Sequence, residues 1–200
     1  MLVNWQATKA DIQNAISGWL DPLEDADDVV LFYFSGHGEQ DGNNRTICPY
    51  DTLPDSWAND IYDYQLNTWL GNLQSQRQVV VLDSCLSGGF ITGAMGIKVA
   101  TGIKHEPYVS EVSNSFAKHL SKSGRVVMAS CRDDESAYEW PTFCHGVFSH
   151  YLLDGFGSLE AVDSDDNDKI SAEELFGYVE PRTVSYVSLV IGKAQKRSCQ

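Results

Sequence analysis

Residues 79–90 read VVVLDSCLSGGF. Four apolar residues stop abruptly at Asp83-Ser84-Cys85, and a small, Gly-rich turn follows. An apolar run of that length bounded by a turn reads as a buried strand of the parallel type. Cys85 then sits where the strand leaves the sheet, the edge at which ligands and chemistry collect in open α/β sheets. Ser87, Gly88 and Gly89 leave room for a substrate backbone to approach the sulfur.

Working outward, residues 29–40, VVLFYFSGHGEQ, repeat the same grammar. A run of strand formers meets a sharp polar turn at Ser35-Gly36-His37-Gly38. If the two runs are parallel neighbours, His37 and Cys85 emerge on one edge of one sheet. The spacing of 48 residues from His37 to Cys85 leaves ample chain for a crossover helix. A thiol and an imidazole brought together in this way form a nucleophile–base pair. The backbone amides of Gly38 and Cys85 are the candidate oxyanion donors, because glycine lets the chain turn its N–H into a cleft.

SGHG after one strand and DSC-x-SGG after another resemble the caspase-like cysteine peptidases, and within them the metacaspase-like prokaryotic branch. A histidine about 50 residues before the cysteine is itself a caspase feature. The resemblance spans roughly residues 6–186. It implies an α/β fold with a mostly parallel sheet flanked by helices, and hydrolysis of peptide bonds by a Cys85–His37 dyad without a third member. It also implies cleavage after Arg or Lys. Asp83 matches the pocket aspartate two residues before the nucleophile, and Asp133 could contribute from a neighbouring loop. The expected partners are protein or peptide substrates with basic residues, and the chemistry needs no cofactor. One departure stands out. The family opens with a strand and helix that are missing here, so either the start is truncated or another segment fills a central slot in the sheet. A catalytically inactive caspase-like binding or regulatory module is the rival reading. The presence of His37, Cys85 and Asp83 together speaks against it.

Composition narrows the field. Two hundred residues suit a single domain over 1–200, and 42% hydrophobic with 21% charged residues is ordinary globular usage. A formal charge of −14 argues against nucleic-acid binding and suits cationic peptides or calcium. Five cysteines, at 48, 85, 131, 144 and 199, show no paired metal spacing and are odd in number, so no disulfide framework is expected. Residues 1–14 lack a signal-peptide pattern, and no apolar run approaches the ~20 residues of a membrane span. The expected location is cytoplasmic.

The remaining elements follow from spacing. Thr8 caps a helix with Ile12, Ile16, Trp19 and Leu20 on one face. Residues 39–45 read as a polar loop, and Leu66, Trp69, Leu70 and Leu73 mark a second helix. An irregular stretch over 91–109 holds Lys98 and Lys104 as candidate processing sites, and Val112, Phe116 and Leu120 mark a further helix. RVVMAS at 125–130 is a third strand, Phe148, Tyr151 and Leu152 mark another helix, and Pro181 separates the next from a final one over 184–191. Residues 163–174 have EF-hand loop spacing, with Asp163, Asp165, Asn167, Lys169 and Glu174 at positions 1, 3, 5, 7 and 12. Asp168 replaces the usual glycine at position 6. The alternative is an acidic turn in which Ser171 and Glu174 form a capping box for the next helix.

Overall fold

Both apolar runs become strands, and they are neighbours. The computed structural model describes residues 1–41, 44–84, 97–99, 124–130, 139–140, 143 and 145–198. Six strands form one sheet: β1 (Val29–Asp41), β2 (Asn44–Cys48), β3 (Ile61–Tyr62), β4 (Arg77–Ser84), β5 (Ile97–Val99) and β6 (Arg125–Ala129), in the order β3-β2-β1-β4-β6-β5. β1 runs parallel to β4, in register from Val29↔Arg77 to Gly36↔Ser84, and β4 runs parallel to β6. The outer strands pair antiparallel. The sheet is therefore mixed, with the expected parallel arrangement at its centre. Lys98 lies in β5, while Lys104 and the expected helix at Val112, Phe116 and Leu120 fall outside the described residues.

One expectation is corrected here. Residues 35–38 are not a turn, and 39–45 are not an open loop. β1 continues through His37 to Asp41 and pairs antiparallel with β2, from His37↔Cys48 to Asp41↔Asn44. Alternation explains the continuation. Gly38 and Ile47 face each other and are buried, while Glu39 stays exposed on the opposite face. The polar residues that looked like a turn are thus the outward half of a strand pair.

Successive strand residues point to opposite faces, so the register defines one side of the sheet. Val30, Val80, Leu82, Val127, Ala129, Ile47 and Ile61 make one core with Ile12, Ile16, Leu66, Trp69, Leu70 and Leu73. The last four residues lie on or just beyond α2 (Asp63–Gly71), where the helical spacing placed them. The first two belong to α1 (Lys9–Asn14) and the π-helical turn 15–20 that follows it. Thr8 caps α1 as expected, accepting a bond from the Asp11 N–H at 3.1 Å. Trp19, expected on the buried face, is 66% exposed. The π turn is the cause: the Asp21 N–H reaches back five residues to the Ile16 carbonyl, which keeps Ile16 inward and swings Trp19 out.

A buried carboxylate joins the N-terminal segment to the start of β4. Glu24 is 5% exposed, and its two oxygens accept the backbone N–H groups of Gln74 (2.6 Å) and Ser75 (2.8 Å). Glu24→Ala leaves both amides without an acceptor, so a loss of about 2–4 kcal/mol is expected. Thermal unfolding checks this, and Glu24→Gln, which keeps one acceptor, should lose less. Nearby, Arg125 at the head of β6 is 1% exposed. It donates to the Gln78 side chain (2.7 Å) and the Asn67 side chain (2.9 Å), tying β6, β4 and α2 together. Burial lowers its pKa to about 10, so the guanidinium stays charged at neutral pH.

The chain divides into two compact units, residues 1–136 and residues 137–200. The elements of the second are β7 (Glu139–Trp140), β8 (His145–Gly146), α3 (Val147–Phe156), α4 (Leu159–Val162) and α5 (Ala172–Ser198). Phe148 and Leu152 of α3 and Leu175, Phe176 and Val179 of α5 are buried. The two helices approach closely at Gly155, where an added Cβ would lie 2.7 Å from a Leu175 methyl. Pro181 does not end a helix, contrary to the sequence reading, but sits inside α5. Next to it, the Arg182 side chain donates to the Tyr178 carbonyl and the Thr183 hydroxyl to the Val179 carbonyl.

Candidate functional site

His37 stands one residue beyond the last β1–β4 pair, Gly36↔Ser84. It is exposed and lies directly opposite Cys48 on β2. Cys85 follows Ser84 in sequence and lies outside the described residues, as does Asp133. Asp83 is opposite Ser35 and 4% exposed. Gly38 is buried opposite Ile47. The structure thus brings His37 and the end of the Asp83-Ser84 strand to one edge of one sheet.

Register also assigns the faces. Ser35, His37, Glu39, Thr46, Cys48 and Asp83 share one side, opposite to the core described above. These strand residues include two carboxylates and no Lys or Arg. A third carboxylate, Asp60, comes from the turn before β3 and is fully buried. It accepts the hydroxyls of Thr46 (2.9 Å) and Thr52 (2.8 Å), which compensate its burial.

Sequence reasoning missed Asp60, Glu39 and Cys48 as neighbours of His37. One oxygen each of Glu39 and Asp60 and the Cys48 sulfur lie within 4.8 Å of one another. Gly42-Asn43 was the available signal, since Gly-Asn between two strand-like runs marks a two-residue hairpin loop, and a loop at 42–43 places 37 opposite 48. Burial, then the charges of Asp60 and Glu39, push the Cys48 thiol up to about 12. Cys48 is therefore protonated at neutral pH. A raised thiol pKa makes Cys48 less readily ionised than an ordinary cysteine.

At the acidic loop, oxygens of Asp163, Asp165 and Glu174 lie within 4.8 Å of one another. Asp163 accepts the N–H groups of Asn167 (3.1 Å) and Asp168 (2.7 Å), and Asp168 takes φ +61°, the left-handed turn that position 6 requires. Asn167 and Lys169 are exposed. The capping box is present as well: the Ser171 N–H donates to Glu174 and the Glu174 N–H donates to the Ser171 hydroxyl. The capping box and the Ser164 donors together occupy both Glu174 oxygens. The Ser171 N–H and hydroxyl, followed by those of Ser164, hold the Glu174 carboxyl down to about 2. A depressed pKa contributes stability that is complete above the ordinary value of 4.5 and is lost as the pH falls toward 2. Thermal unfolding between pH 5 and pH 2 should accordingly show the advantage of the protein over Glu174→Gln shrinking across that window.

Of the remaining histidines, His145 and His150 stack with Phe143, His150 at 3.9 Å between ring centroids, while His105 and His119 lie outside the described residues. Among the described residues no helix is long and apolar enough to cross a membrane. No curated protein matches the chain. The family model described as the caspase domain matches residues 3–183. That match covers the parallel strand pair, the histidine at its edge and the Asp83-Ser84-Cys85 stretch, and on it the chain belongs to the caspase-domain family of cysteine peptidases.

Proposed function

We propose that the chain is an endopeptidase of the metacaspase-like prokaryotic branch, cleaving after Arg or Lys. The observation that supports this reading is the parallel β1–β4 register, whose last pair, Gly36↔Ser84, is followed in sequence by His37 on one side and by Cys85 on the other. In the proposed mechanism the Cys85 sulfur attacks the scissile carbonyl carbon and its proton passes to His37. The amides of Gly38 and Cys85 receive the oxyanion. The C–N bond then breaks, and the His37 imidazolium protonates the leaving amine. Water attacks the thioester, His37 takes its proton, and the carboxylic acid leaves as the Cys85 thiol is restored.

A basic residue before the scissile bond suits the carboxylates on the His37 face. Asp83 is the pocket base that would pair with a guanidinium, with Asp133 a second contributor. Calcium is proposed for the loop of Asp163, Asp165, Asn167, Lys169 and Glu174. Each Asp163 oxygen accepts one N–H and retains a lone pair for a cation, whereas Glu174, whose two oxygens each accept an N–H and a hydroxyl, would ligate by giving up serine bonds. The free Cys48 thiol suits a reducing, cytoplasmic setting.

Fluorogenic peptides ending in Arg, Lys or Asp test the proposal, run with and without calcium beside Cys85→Ala and Cys48→Ser. Cleavage after Arg or Lys that vanishes in Cys85→Ala and survives in Cys48→Ser is the expected result. Cleavage after Asp would overturn the pocket, and activity surviving in Cys85→Ala would overturn the nucleophile. Calorimetric titration with calcium should give heat that disappears in Asp163→Ala.

A further inference from the structure

The proposed reaction has an acyl side and a leaving side, and the strand order separates them. Across the sheet the order is β4, β1, β2, so β1 stands between the strand that leads to Cys85 and the strand that carries Cys48. The acyl half of the substrate falls to β4, where Asp83 lies two residues before the nucleophile. The leaving nitrogen takes its proton from His37 on β1, which requires it within hydrogen-bond reach of the imidazole. The chain attached to that nitrogen therefore continues on the far side of the nucleophile strand, over the pairing of β1 with β2.

Register sets what that chain meets. Glu39 follows His37 on the same face, roughly 7 Å further along β1. Thr46 is directly opposite Glu39, and Cys48 directly opposite His37. Thr46 is buried and Cys48 half-buried, whereas Glu39 is exposed and presents its carboxylate to a substrate. Behind it, an oxygen of buried Asp60 lies within 4.8 Å of a Glu39 oxygen. Asp60 is fixed there by the Thr46 and Thr52 hydroxyls. Lys9 reaches the same turn, but it donates to the Ala58 (3.4 Å) and Asp60 (2.6 Å) backbone carbonyls rather than to a carboxylate. Two carboxylates this close repel each other, and a cation brought to Glu39 relieves both. We infer that Glu39 is the specificity-determining residue of the leaving side: it selects Lys or Arg as the first residue after the scissile bond, so that cleavage falls between two basic residues. The inference rests on the peptidase reading and adds a second charge requirement to it. Because Glu39 is exposed, the pair it forms is worth about fivefold in rate and weakens with salt.

Internally quenched peptides of one common sequence test it, with Arg before the bond and Lys, norleucine or Glu after it. Each comparison is a ratio of kcat/KM values measured on one preparation, so partial unfolding of a variant cancels. The unaltered protein should cut the Lys peptide about fivefold faster than the norleucine peptide, and the Glu peptide slowest. Raising the ionic strength should shrink both differences. In Glu39→Gln the ratio of Lys to norleucine should fall toward one, in Glu39→Asp it should persist, and in Glu39→Lys the Glu peptide should overtake the Lys peptide. Equal cutting of the three peptides, or a Lys preference that survives Glu39→Gln, would overturn the inference and leave the peptidase reading standing. Loss of all cutting in Glu39→Gln would overturn it too, by making Glu39 part of the chemistry rather than of the selection. Failure of the unaltered protein to cut any of the three would overturn the peptidase reading and the inference together.

Discussion

His37→Ala is expected to lower kcat/KM for an Arg-ended peptide by about a thousandfold, within the range that a positioned acid–base group supplies. Two protons pass through this imidazole in the proposed cycle: one to the leaving amine and one from the attacking water. Among the described residues, Glu39, Asp83 and Cys48 share the His37 face, and none of them is an imidazole. The loss should fall on kcat rather than KM, because His37 holds no part of the basic side chain of the substrate. Stability should stay nearly unchanged. His37 is exposed, and alanine accepts the extended backbone of β1. Equal thermal midpoints with a collapsed kcat would support the dyad. A variant retaining a tenth or more of the activity would refute it.

Gly124→Ala should produce the largest loss of stability, about 3 kcal/mol or more, from a clash and a strained backbone together. Gly124 has φ +84°, and a Cβ there would sit 1.7 Å from the Gln76 carbonyl oxygen. No side-chain rotation relieves that contact, because the obstructing atom belongs to the backbone. The backbone itself cannot easily withdraw, since the Gly124 carbonyl accepts the Gln78 N–H at 3.0 Å as β6 begins beside β4. Relief therefore requires shifting the β4–β6 register, which carries Val80, Val127 and the buried Arg125. The thermal midpoint should fall by roughly 10 °C for a chain of this size. A midpoint within 2 °C of the parent would show that the turn tolerates a side chain.

What was legible in the sequence shares one physical origin. Residues 29–34 and 79–82 are apolar on both faces, a pattern that central parallel strands need and few other elements tolerate. Leu66, Trp69, Leu70 and Leu73 declared α2 by their spacing, because one helical stripe faces the core. What was not legible depended on longer-range context. The far half of β1 reads as a polar turn until β2 is set beside it, because in the core-side pair Gly38↔Ile47 the apolar side chain is on β2. Trp19 matches an α-helical stripe until a single π turn changes the angle per residue. Pro181 is an exposed position in a long helix whose buried side is fastened by Leu175, Phe176 and Val179, so tertiary packing outweighs the missing bond. The place of Asp83 near the end of β4 was readable from the apolar run before it, whereas His37 lies within β1, which runs on to Asp41. Asp60 was not, because its place beside Cys48 comes from a turn whose path is set by Thr46 and Thr52.

β1 is held at both ends of its length by different partners, parallel to β4 before His37 and antiparallel to β2 after it. Its residue count is consequently locked in a way that its composition is not. Loss or gain of one residue within 29–36 would turn every later side chain to the opposite face, sending His37 inward and Gly38 outward. Substitutions along this strand can drift during divergence, but insertions and deletions cannot. The turn at 52–59, which joins β2 to β3 without crossing a ladder of this kind, is free to change length. Among descendants of this sequence, length variation should therefore collect in that turn and be missing from the strand that ends at the histidine.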